Sequence, residues 1–228
     1  LCLPGLTRNA RDFEPVAERL AGKWRVICLE FRGRGESEYD PNPQRYMPAT
    51  YVGDVLKLLD QLGIADAVFV GTSLGGIVTM LLAASDDERV AGALINDVGP
   101  EVDPRGIERI RGYVGKQSRF GSWDEAAREM GERLKDVYPH WSDEQMLTFV
   151  RRTCREMPDG SIGFDYDMNI AVPFAEANES NAFDLWPLLG GLKGKPVVLL
   201  RGELSDLLSP EVAERMVAEL GAEAELVT

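Results

Sequence analysis

The chain is poor in the residues that most often announce chemistry. Its 228 residues include one histidine, His140, and three cysteines, Cys2, Cys28 and Cys154. The cysteines form no CxxC pair, and no group of His, Cys, Asp and Glu has the spacing of metal ligands, so no metal site is expected. Cys2 and Cys28 lie in apolar, strand-like runs where buried free thiols are common, which fits a reducing, cytoplasmic setting. No apolar run approaches the roughly 20 residues of a membrane span, so no membrane partner is expected. Positive charge is scarce as well: 25 Lys and Arg stand against 38 Asp and Glu, a formal charge of -13. Such a surface repels phosphate backbones, so nucleic acid is not an expected partner. Gly33-Arg34-Gly35 is not a phosphate loop, because no strand–GxGxxG–helix order surrounds it, and no cofactor is expected. There is no internal repeat and no low-complexity tract.

What is present suits one large α/β domain, or a domain with an insertion, with 44% hydrophobic residues to fill a core. Leu1–Leu3 reads as the end of a strand, and Asp12 as the cap of a helix running to about Ala21. Trp24–Glu30 reads as a continuous strand. Thr50–Leu62 reads as an amphipathic helix with Val52, Val55, Leu59 and Leu62 on one face. Strands are predicted at Ala67–Gly71, Val90–Asn96 and Val197–Arg201, with a helix at Leu74–Ala84. A last helix is predicted after Ser209-Pro210, with Ala213, Met216, Val217 and Leu220 buried and Gly221 as its stop. Alternating strands and helices imply a parallel sheet. The gap between Asn96 and Val197 far exceeds the dozen or so residues of a crossover, so residues 100–195 read as an insertion. Its middle is helical in pattern, at Trp123–Val137 and Asp143–Met157. The chain opens inside one strand and closes at Glu223–Thr228 as another begins, and so reads as an excerpt of a longer protein.

The informative segment is Val68-Phe69-Val70-Gly71-Thr72-Ser73-Leu74-Gly75-Gly76, a G-x-S-x-G between a predicted strand and a predicted helix. This spacing sets Ser73 on a tight, strained turn, and Gly71 and Gly75 keep side chains from colliding across it. The hydroxyl is then held above the carboxyl end of a sheet at a helix N-terminus, which favours developing negative charge. The backbone N–H of Leu74 can donate to an oxyanion there.

With these motifs the chain resembles the α/β-hydrolase superfamily, in the group of capped serine hydrolases that includes esterases and enol-lactonases. The resemblance covers almost the whole length. It includes Leu3-Pro4-Gly5-Leu6, Glu30-Phe31-Arg32-Gly33-Arg34-Gly35-Glu36-Ser37, Arg201-Gly202-Glu203-Leu204-Ser205-Asp206, and Phe164-Asp165-Tyr166-Asp167-Met168 within the insertion. Two positions depart from the family: Pro4-Gly5 replaces His-Gly, and Glu30 replaces Asp. Neither is a catalytic acid or base in the family. The resemblance implies an α/β-hydrolase fold, with a mostly parallel central sheet flanked by helices. A core of residues 1–99 and 196–228 would carry a helical cap, residues 100–195, inserted after the strand ending near Asn96. It also implies that the backbone N–H of Leu6 is the second oxyanion donor beside that of Leu74.

The family order places the acid on a loop after a late strand. Asp206 sits there, and its Arg-Gly-Glu-x-x-Asp context favours it over the rival Asp97, just after the strand ending at Asn96. The same order places the catalytic histidine last, beyond residue 228. His140 precedes Asp206 and falls in the insertion, so it reads as a surface or loop-capping residue. Arg8 reads as an exposed arginine, with contact to a substrate carboxylate as the alternative. The aromatics Trp123, Trp141, Phe164, Tyr166 and Phe174 suggest apolar surfaces of the cap, some of them lining a pocket. The resulting expectation is a cofactor-free serine hydrolase, with a small-molecule ester, lactone or related carbonyl compound as substrate. The alternative is a ligand-binding relative that kept the fold without the catalysis.

Overall fold

The computed structural model describes residues 1–176 and 184–228. Its centre is a five-stranded parallel sheet. After β1 (Cys2–Leu3) come α1 (Glu14–Leu20), α2 (Pro48–Gln61), β2 (Ala67–Thr72), α3 (Leu74–Ser85) and β3 (Val90–Asn96). The chain then leaves the sheet through α4 (Pro104–Arg111), β4 (Arg119–Phe120), α5 (Trp123–Leu134), α6 (Asp143–Thr153), β5 (Cys154–Glu156), β6 (Ile162–Phe164) and α7 (Ala171–Glu176). It returns with β7 (Val197–Leu200), α8 (Pro210–Leu220) and β8 (Ala224–Val227). The strand order is β1-β2-β3-β7-β8, so the excursion separates two strands that pair directly, Ala93 opposite Val197 and Asn96 opposite Leu200.

Parallel strands are covered on both faces and therefore read as unbroken apolar runs. Phe69, Ile95 and Leu199 are completely buried at the centre of β2, β3 and β7. Against them lies α3, apolar nearly all round, with Val78, Met80 and Leu82 fully buried. The expected cap of α8 is present: the Ser209 hydroxyl accepts from the Val212 N–H at 3.2 Å, with Pro210 in the first turn. Ala213, Met216 and Leu220 form its buried face.

Several elements differ from expectation. Trp24–Glu30 forms one bridge, Cys28 to Cys2, rather than a strand, and Trp24 is 65% exposed. Its neighbour β1 contributes only two residues, and Cys2 alone makes both bonds of the bridge, its N–H donating to the Ile27 carbonyl at 2.8 Å and its carbonyl accepting from the Leu29 N–H at 3.0 Å. Asp12 caps no helix. Asn9 accepts from the Arg11 N–H at 3.1 Å to cap a short 3₁₀ turn, and the Asp12 carboxylate is taken by Arg8. The helix α2 starts two residues early, at Pro48, and buries Tyr51, Val55 and Leu59; Leu62, past its end, is exposed. The excursion is not purely helical: β4, β6 and β5 form a small antiparallel sheet. The helix α6 stops at Thr153 because Cys154 already pairs with Phe164, and because Asn9 and Arg11 take the carbonyl of Arg152. Among the described residues, no helix is long and apolar enough to cross a membrane.

Candidate active site

The turn from β2 into α3 places Ser73 at φ 50°, ψ −113°. Among the described residues only Ser73 and Asp97 are non-glycine residues at positive φ. Such a conformation is strained, and it persists where the surroundings over-determine it. Here they do. The Ser73 N–H donates to the Asn96 carbonyl at 2.9 Å, and its own carbonyl accepts from Gly76 and Ile77 at 2.8 and 3.1 Å. The two glycines are required by close approach. A Cβ on Gly71 would lie 2.5 Å from the Gly75 carbonyl oxygen, and a Cβ on Gly75 would run into the Leu3 carbonyl. Leu74 opens α3, so its N–H belongs to the first turn, where helical amides have no intrahelical acceptor.

The loop after β1 lies beside this turn. A Cβ on Gly5 would be 3.8 Å from that of Ser73. The loop folds into a tight turn, closed by the Arg8 N–H on the Gly5 carbonyl at 3.1 Å. Leu6, Ser73, Asp97 and Asp206 all line one cavity of about 1010 Å³. Leu74, next in the chain to Ser73, is buried. His140 is exposed and is not among the residues that line the cavity.

The two candidate acids are held differently. Asp97 ties the end of β3 to the loop after β7: its N–H donates to Leu200 at 2.8 Å, and its carboxylate accepts from the Gly202 N–H at 3.2 Å. Asp206 is gripped from α4, where Arg109 donates through Nε at 2.5 Å and Nη2 at 2.6 Å. That fork holds the Asp206 carboxyl below the usual carboxylate range.

Arg8 is not the exposed arginine expected. It is mostly buried, holds Asp12 through two nitrogens, donates to the Thr153 hydroxyl, and stacks 4.1 Å from the Phe149 ring centre. It thus pins the loop after β1 to α6. Of the aromatics singled out, Trp141, Phe164 and Tyr166 do line the cavity, whereas Trp123 and Phe174 do not and lie under Arg151 and Arg111. Tyr138 stacks on Trp141 at 3.8 Å to complete an aromatic wall. Arg109 and Tyr138 escaped the sequence reading. The periodicity of their segments shows a buried face but not what that face meets.

The model of the Alpha/beta hydrolase family matches residues 1–227. A 3-hydroxybutyrate-oligomer hydrolase from Cupriavidus necator is 35% identical over 225 residues, 96% of this chain and 76% of that protein. A 2-(acetamidomethylene)succinate hydrolase from Mesorhizobium japonicum is 26% identical over 90% of this chain and 70% of its own length. The crystal structure of an alpha/beta hydrolase from Novosphingobium aromaticivorans superposes with a TM-score of 0.93 at 52% identity, covering 99% of this chain and 79% of that one. The chain belongs to the alpha/beta hydrolase family. It is a hydrolase.

Proposed function

We propose that the protein is a cofactor-free serine hydrolase that cleaves small esters through Ser73. The observation that carries this reading is the strained turn that presents Ser73 to the cavity beside Leu6 and Leu74. Ser73 Oγ attacks the substrate carbonyl carbon as a histidine takes its proton. The carbonyl electron pair moves onto oxygen, and the amides of Leu6 and Leu74 receive that charge. Collapse expels the alcohol, which takes the proton from the imidazolium, and water releases the acyl group by the same steps. Asp206 orients the imidazole and stabilises its charged form. His140 is exposed and is not among the residues that line the cavity, so this reading assigns the base to a histidine outside residues 1–228. Residues 100–195 act as the cap that supplies the outer wall of the cavity; residues 177–183 of that range lie outside the described residues.

The substrate is an ester that carries a free carboxylate, and short 3-hydroxybutyrate oligomers, whose alcohol portion bears it, are the first compounds to try. Arg152 supports this. It lies on the cavity face of α6, and its guanidinium has no ion-pair partner among the described residues, whereas Arg8, Arg109 and Arg133 are each paired. The three free cysteines suit a reducing compartment such as the cytoplasm.

The deciding experiment is active-site labelling of the full-length protein with a fluorophosphonate, alongside hydrolysis of the oligomers. Ser73→Ala should lose both the label and the turnover. Retained turnover in Ser73→Ala would overturn the reading, and a full-length wild type that takes the label and binds oligomers without cleaving them would remove them as the substrate.

A further inference from the structure

Arg34 is the bulkiest of the completely buried side chains, 0% exposed. A guanidinium taken out of water normally meets a carboxylate, because an unpaired buried charge is costly. Arg34 forms no ion pair among the described residues. Instead Nε donates to the Leu6 carbonyl at 2.8 Å, and Nη1 donates to the Arg32 carbonyl at 2.7 Å and the Tyr51 hydroxyl at 2.8 Å. The rings of Tyr51 and Tyr46 lie 5.1 and 5.6 Å from its Cζ, and Nη2 has no hydrogen-bond partner among the described residues. The carboxylate whose field reaches it, Asp167, is occupied by the Tyr46 hydroxyl at 2.6 Å. Burial lowers its pKa, yet a guanidinium keeps its proton inside a protein.

We propose that Arg34 is a positioning residue for the oxyanion hole, acting through the main chain of Leu6. The inference rests on the reading of Leu6 as an oxyanion donor. Gly5 to Arg8 form a turn closed by the Arg8 N–H, so the peptide between Leu6 and Thr7 is its central one. Flipping that peptide is what interconverts the two commonest turn types, which makes it the softest coordinate of such a loop. The Nε–H of Arg34 holds the oxygen of that peptide from behind. That peptide carries the Leu6 carbonyl and the Thr7 N–H, whereas the Leu6 N–H belongs to the Gly5–Leu6 peptide; pinning the carbonyl fixes ψ of Leu6 and so anchors the residue from which its N–H projects. The guanidinium also sets a buried positive charge behind the loop, with no ion-pair partner to neutralise it. Preorganised dipoles and charges of this kind act most strongly where water is excluded.

Substitutions in the full-length protein test this, with rates expressed per active site titrated by fluorophosphonate. Arg34→Lys keeps the charge and loses the fork; Arg34→Met loses both. Deleting one oxyanion donor costs about 10²–10³ in kcat, so a slackened donor should cost less: about 10-fold for Lys and about 100-fold for Met. KM should stay within about twofold, because the loss falls on the transition state. Affinity for a trifluoromethyl ketone, whose adduct carries an oxyanion, should fall by the same factor as kcat/KM, while affinity for the carboxylic acid product holds. A purely structural arginine would lower Tm and the titrated fraction and leave kcat per site unchanged. Should Met prevent folding, Lys decides alone. A folded Arg34→Lys with wild-type kcat per site and wild-type ketone affinity overturns the proposal. That result is distinct from failure of the functional reading, which would show as turnover surviving in Ser73→Ala.

Discussion

Around Ser73 the backbone does the positioning. The residue sits between a buried strand and a buried helix, with two glycines where a Cβ would strike main-chain oxygen and with its amide and carbonyl both hydrogen-bonded nearby. Around Asp206 a side chain does it. Gly202, Glu203 and Leu204 on the same loop are exposed, and the carboxylate is held by Arg109 from a helix 97 positions away in sequence. The first arrangement is rigid because it is built into the sheet. The second is adjustable, because it depends on how the excursion between β3 and β7 docks against the core.

Four substitutions test this contrast. The largest effect is expected from Gly75→Ala. Its methyl collides with the Leu3 carbonyl, where neither strand nor helix can give way. Overpacking of this kind costs about 1–3 kcal/mol or more, and here it also displaces Ser73, the proposed nucleophile. Thermal denaturation should show a Tm lower by about 2–12 °C, with each kcal/mol worth roughly 2–4 °C in a chain of this size, and turnover should vanish. A stable, active Gly75→Ala would mean that the turn is softer than the structure indicates.

The next effect is chemical. Asp206→Asn in the full-length protein should cut kcat by about 10⁴, because the imidazole loses its counter-charge and its tautomer, while KM changes little. Asp97→Asn should cost far less. Asn tolerates the positive φ at that position, and its carbonyl oxygen can still accept from the Gly202 N–H. If Asp97→Asn proves the more damaging in folded protein, the two carboxylates exchange roles.

The smallest effect tests the adjustable side. Arg109→Gln removes a half-buried ion pair worth about 0.5–1 kcal/mol, so Tm near pH 7 should drop by about 1–4 °C. Asp206 has a depressed pKa when folded, so the pair stabilises above the carboxyl's unfolded value of about 3.9 and loses its effect as pH falls through the lowered one. The difference between wild type and variant should therefore be full at pH 7 and close in acid. A gap that persisted at low pH would assign the loss to packing instead.

The elements that depend on near neighbours were legible in the chain. The bounds of β3 and the start of α8 follow from apolar runs and from Ser209-Pro210, and they match to the residue. Ser73 was legible because a G-x-S-x-G between strand and helix leaves the chain one geometry. Asp12 misled, since Asn9 three residues earlier takes the cap and Arg8 takes the carboxylate. Trp24–Glu30 misled because an apolar run shows preference for a strand but not the length of the partner that must pair with it.

Arg34 marks the boundary between the two kinds of information. In the sequence it is one of the chain's 25 basic residues, set in a polar, glycine-rich loop where solvent exposure is the ordinary outcome. In the structure it is sealed from water, 28 positions from the carbonyl it holds. The strands and helices, the strained serine and the two candidate carboxylates on loops that follow strands were readable in the chain, because near neighbours set each of these patterns by sterics and hydrogen bonding. The folded chain alone reveals that Arg109 grips Asp206, that Arg8 bolts one loop to α6, and that Arg34 stands behind Leu6. A long cationic side chain can reach many acceptors, and which one it meets depends on how distant segments are packed together.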